Sequence, residues 1–104
     1  MSVVWINAID VEPDDAAELE RRFADRAGEV DQMEGFEGFE LLRPADDRTV
    51  YLVYTRWRSQ ADFRRWVDSD AFQRGHKERA SGPPLAMTSE LWSFEVAERR
   101  TVVG

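Results

Sequence analysis

The sequence predicts an α+β domain of order βαββαβ, with one antiparallel sheet carrying its helices on a single face. Three observations carry that expectation. Four runs are rich in β-branched and aromatic residues. Two stretches repeat apolar residues at three- and four-residue spacing. A short polar turn joins the second and third runs, which makes them an antiparallel hairpin. The chain has 104 residues, within the roughly 100–200 expected of one domain. It shows no repeat, linker or low-complexity tract, so residues 1–104 read as a single domain.

The first strand is Val3-Val4-Trp5-Ile6-Asn7-Ala8-Ile9. Alternation puts Val3, Trp5, Asn7 and Ile9 on one side and Val4, Ile6 and Ala8, all apolar, on the other. Both faces therefore need cover, and Asn7 is a polar amide on an otherwise hydrophobic surface. Pro13 and the carboxylates Glu12, Asp14 and Asp15 mark a helix start at the positive end of its dipole. Ala16, Leu19, Phe23, Ala27 and Val30 extend that helix for about four turns. Glu34-Gly35 ends the helical region.

Phe36 to Arg43 reads as the second strand, stopped by Pro44, and Asp46-Asp47-Arg48 is the turn. Thr49 to Trp57 is the third strand and the strongest β signal in the chain. Ser59-Gln60-Ala61-Asp62 has the form of a helix cap followed by an acid, with Phe63, Trp66 and Val67 at helical spacing behind it. Ser69-Asp70 reads as a second cap, opening a short helix with Phe72, His76 and Ala80 on one face before Ser81-Gly82-Pro83-Pro84. Glu90 to Ala97 supplies the last strand. This is the ferredoxin-like order. The helix-free face must still be covered, and pairing two sheets in a homodimer would do so for a domain this small.

Composition removes several chemistries. Without cysteine, disulfides, thiolate nucleophiles, iron–sulfur clusters and Cys-containing zinc sites are excluded. A single histidine excludes two-histidine metal sites within one chain. A formal net charge of −7 disfavours nucleic acid as a partner. No apolar run approaches the ~20 residues of a membrane span, and Met1-Ser2-Val3-Val4-Trp5 lacks the features of a signal peptide. The expected location is cytoplasmic, with no membrane partner.

His76 is an ordinary surface or capping histidine on one reading and a metal ligand on the other. A bare divalent ion needs further protein ligands, whereas a porphyrin iron already has four nitrogens and needs a single axial one. Arg22 and Arg26 lie one turn apart beside Phe23, at the edge of the apolar stripe. They either pair with acids such as Glu18 or grip the carboxylates of a flat apolar ligand. Asn7 is a satisfied amide or a neutral donor in a dry pocket. Trp66 is a core aromatic or a wall against a planar ligand.

Together these stretches resemble the antibiotic-biosynthesis-monooxygenase (ABM) superfamily, in its heme-degrading, IsdG-like branch. The likeness runs from about Val3 to Val96. It includes Glu20 to Arg26, Gly35 to Pro44, Trp57-Arg58-Ser59 and Phe63-Arg64-Arg65-Trp66, with the combination of Asn7, Trp66 and His76 the most specific part. The resemblance implies a dimeric ferredoxin-like α/β barrel that degrades heme, which serves as cofactor and substrate. It implies His76 as the axial ligand of the heme iron, Asn7 as a hydrogen-bond donor on the oxygen side, and Trp66 as a residue that ruffles the porphyrin. Arg22, Phe23 and Arg26 resemble its propionate-side residues. O2 and an external electron donor, a reductase or small reductant, complete the reaction, because no nucleotide-binding glycine motif occurs. Two further readings stand beside it: a cofactor-independent ABM-type monooxygenase acting on an aromatic polyketide or quinol, and a dimeric heme-binding module without activity.

Overall fold

The computed structural model describes residues 1–25, 30–69, 72 and 87–102. Strands β1 (Val3–Val11), β2 (Phe36–Leu42), β3 (Val50–Trp57) and β4 (Met87–Glu95) form one antiparallel sheet of order β2-β3-β1-β4. Helices α1 (Ala16–Asp25) and α2 (Gln60–Val67) fill the two connections. Short 3-10 turns, Pro13–Asp15 and Val30–Gln32, flank α1. The hairpin, the strand order and the helix starts match the sequence pattern. α1 proper begins at Ala16, after the tighter 3-10 turn at Pro13–Asp15; Ala27 of the predicted stripe lies outside the described residues and Val30 belongs to the second 3-10 turn. The last strand begins earlier, at Met87, because its pairing with β1 extends to Val11.

β1 is the hub of the sheet, paired residue by residue with β3 and β4. Its odd-numbered residues face the helices. Ile9 and Val11 are buried with Leu19 of α1 and Tyr51 of β3, and Ala16, Phe23, Leu41 and Val53 pack around that cluster. A second cluster is aromatic. Trp57 is fully buried, with Phe36, Phe63 and Trp66 at ring-centroid distances of 5.4, 5.9 and 6.5 Å. A register shift between Phe36 and Gly38 makes this possible. Strict alternation would turn Phe36 and Phe39 to opposite faces, whereas the irregularity aims both at the helices.

On the opposite face, Val4 and Ala8 are already buried within one chain. They are small side chains in a central strand, flanked by larger ones. Exposed apolar surface on that face instead sits on the flanking strands, at Leu42, Trp92 and Phe94.

α2 is seated by a charge network. Ser59 accepts the Asp62 backbone N–H at 3.2 Å and donates its hydroxyl to Asp62 Oδ2 at 2.9 Å. Arg58 and Arg65 also donate to the Asp62 carboxylate, at 2.9 Å and 2.7 Å for the shortest bonds. Asp62 is buried against Gly35, which has φ +81°, and a Cβ at Gly35 would overlap the Asp62 side chain. Gly35→Ala is therefore expected to destabilise the fold by about 1–2 kcal/mol from the left-handed backbone alone, and further through the overlap with Asp62. Urea denaturation measures this, and an unchanged midpoint would contradict it.

Candidate active site

The site is built on the helix-bearing face of the sheet, in the gap between α1 and α2. Register defines three neighbouring rows across that face. Tyr51–Ile9–Ser89 lies under α1. Phe39–Thr55–Trp5–Ser93 leads to α2, where the Trp5 ring stacks on Phe63. Between them runs Leu41–Val53–Asn7–Leu91. Asn7 thus stands between the footprints of the two helices. It is half-buried, and its amide has no hydrogen-bond partner among the described residues. Half-buried, the amide is open to water and to any ligand that enters the row.

One wall comes from the C-terminal half of α1. Phe23 packs on the core and tilts against Phe39, with centroids 6.4 Å apart. Arg22 is largely covered, and its Nε donates to Glu18 Oε1 at 3.0 Å. The solvated-face pairing weighed from the sequence is therefore present, yet the side chain retains only 11% exposure. Glu18 is lowered to a pKa of about 2, first by hydrogen bonding to Arg21 and then to Arg22. It therefore stays anionic beside both arginines.

The other wall comes from the last turn of α2. Trp66 is half-buried, stacked near Trp57 and edge-on to Phe72 at 5.5 Å. Ser69 accepts the Phe72 backbone N–H at 3.1 Å, consistent with the second cap read from the sequence. His76 and Arg26 lie outside the described residues. Of the remaining candidates, Asn7 and Phe23 border one apolar cluster, while Trp66 reaches β1 through Trp57, Phe63 and Trp5.

Sequence reasoning missed Trp5 and Gln60. The Trp5 Nε1–H donates to Gln60 Oε1 at 2.8 Å. Alternation put Trp5 on the Asn7 face, but nothing local marks Gln60. It also missed the anchor of α1, where Arg43 Nε donates to Glu20 Oε2 at 2.9 Å and the Tyr51 hydroxyl donates to the same oxygen. Trp57 Nε1 is a buried donor without a partner among the described residues.

A single sheet of order β2-β3-β1-β4, with two helices on one face, is a ferredoxin-like domain. The chain belongs to the antibiotic biosynthesis monooxygenase family, whose sequence pattern matches residues 2–78. It is 43% identical over 96 residues to a heme oxygenase (mycobilin-producing) of Mycobacterium tuberculosis, covering 92% of this chain and 90% of that protein. A structure of the heme-degrader MhuD from Mycobacterium tuberculosis, with two hemes bound in its active site, has a TM-score of 0.80 and 38% identity, covering 95% of this chain and 99% of that one. SnoaB, a cofactor-independent oxygenase from Streptomyces nogalater, has a TM-score of 0.74 and 28% identity, covering 97% and 96%. Fold class and family both agree with the sequence reading.

The α1 anchor is pH-dependent. Glu20 is lowered from 4.5 to about 2, by Arg43 first and then by Tyr51. A depressed folded-state pKa contributes stability that is complete above the unfolded value and is lost as pH falls through the folded one. The melting temperature is expected to drop as pH goes from above 4.5 towards 2. Glu20→Gln should be less stable above that window and less pH-sensitive within it, which thermal melts at a series of pH values check.

Proposed function

We propose that this chain is a heme-degrading monooxygenase, binding heme in the cleft between α1 and α2 and opening its porphyrin with O2 and external electrons to release iron. The observation that carries this reading is the Asn7 amide, which has no side-chain hydrogen bond among the described residues and lies in the sheet row between those that meet the α1 wall, with Phe23, and the α2 wall, with Trp66. A large planar apolar ring suits those walls, and a neutral donor between them suits its oxygen side. The likeness to heme oxygenase and to heme-bound MhuD supports the same reading.

Heme, when bound, supplies the iron at which dioxygen is activated. The remaining roles belong to this chain. His76, the single histidine, would hold the heme iron. Asn7 would donate a hydrogen bond on the oxygen side, Trp66 would press on the macrocycle, and Arg22 and Arg26, with Phe23, would hold its propionates. A reductase or small reductant delivers the electrons. Homodimer formation is part of the same proposal, supported by Leu42, Trp92 and Phe94 at 38%, 41% and 49% exposure on the open sheet face. A cytoplasmic location also belongs to it; no helix among the described residues is long and apolar enough to cross a membrane. The likeness to SnoaB favours a second reading, cofactor-independent oxygenation of an aromatic quinol.

Hemin titration separates the two. Wild type should shift the Soret band and His76→Ala should not. No shift in wild type would favour the second reading, and an equal shift in both would remove His76 as the ligand. Under oxygen with a reductant the bound Soret band should bleach, whereas persistence would mean binding without degradation. Asn7→Ala is expected to keep hemin affinity while slowing bleaching on the order of 100-fold, the effect of losing one preorganised donor. Parallel losses of affinity and rate would make Asn7 structural.

A further inference from the structure

We infer that Trp5 is a positioning residue: it ties the strand bearing Asn7 to the helix bearing Trp66 and so sets the width of the cleft. The identity of the occupant rests on the heme reading above, but the tie itself does not. Trp5 and Asn7 are two residues apart on β1 and share the helix-bearing face. The Trp5 ring lies parallel to Phe63 of α2, with centroids 4.2 Å apart and planes 8° from coplanar. Its indole N–H reaches Gln60 Oε1 at 2.8 Å, one turn earlier on the same helix.

The two contacts restrain different motions. A stacked ring resists tilting of α2 towards or away from β1. The directional hydrogen bond resists sliding of the helix along the sheet. Phe63 then meets Trp57 edge-on at 5.9 Å, and Trp57 backs Trp66 at 6.5 Å with planes 26° apart. Trp66 lies one turn beyond Phe63, so whatever sets Phe63 also sets Trp66. The charge network at Asp62 secures the start of α2 to β3 and Gly35, not to β1. Trp5 supplies the aromatic contact from the Asn7 strand itself. Flat-ring recognition is sensitive to such spacing, because a misplacement of about 1 Å at a site is costly.

The test compares Trp5→Leu, which loses stack and N–H, with Trp5→Phe, which keeps a ring, and Gln60→Leu, which removes the acceptor. Val11→Ala serves as a stability control under α1. The first readout needs no heme: the far-ultraviolet circular dichroism couplet from the paired indoles of Trp57 and Trp66. Trp5→Leu should diminish the couplet, Trp5→Phe should largely retain it, and Val11→Ala should leave it intact despite a lower melting temperature. The second readout is hemin affinity, expected to weaken about tenfold in Trp5→Leu and less in Trp5→Phe and Gln60→Leu. An unchanged couplet and affinity in Trp5→Leu would overturn the inference, as would an equal loss of couplet in Val11→Ala. A wild type that fails to bind hemin would sink the heme reading alone, since the couplet still decides whether Trp5 holds the wall.

Discussion

β1 is hydrogen-bonded along both edges, and a strand held in that way has one permitted register. A slip of a single residue would expose Ile9 and Val11, at 3% and 2% exposure the heart of the α1 cluster, and would turn Ile6 and Ala8 into the helices. The cost of that exchange, about 1.5–3 kcal/mol for each large apolar side chain, is what keeps Asn7 on the apolar helix-bearing face. The Asn7 side chain makes no hydrogen bond among the described residues; its paired backbone and its apolar neighbours put it there. The same register delivers Ile9 to α1 and Trp5 to α2.

The two helices are held by different physics. α1 rests on aliphatic burial at Leu19 and is tethered at its rim by Glu20, Arg43 and Tyr51. α2 has eight residues, too few to persist alone. It is fastened from below by aromatic rings and at its start by Asp62, whose carboxyl is held below its ordinary range chiefly by Arg58. Burial works against that ionisation, so the arginines and Ser59 must outweigh it. A site between two separately anchored helices can keep a polar group at its floor without unsettling either anchor.

Much of this was legible in the chain itself. Alternation in Val3 to Ile9 separated the two faces, the polar turn after Pro44 gave the hairpin, and Ser59-x-x-Asp62 announced the start of α2. Asn7, Trp66, Arg22 and Phe23 could be picked out as unusual residues or by family likeness. What stayed hidden was contact across long separations. Gly35 against Asp62, Glu20 against Arg43 and Trp5 against Gln60 are products of the folded topology, and no local spacing encodes them. The Phe36–Gly38 irregularity was hidden for another reason: a single register shift leaves no periodic signature. β4 was blurred because an exposed edge strand has little need of clean alternation.

Trp57 has no solvent exposure, and its indole Nε1 has no partner among the described residues. Nothing inside the aromatic box can carry that proton away. Exchange of the indole hydrogen with deuterium therefore has to wait for an opening that admits water to the rings packed around it. Its exchange rate is a clock for opening of that wall, separate from the backbone amides of β1, which report on the sheet. One buried atom thereby reports the free energy of opening that wall, with no ligand added.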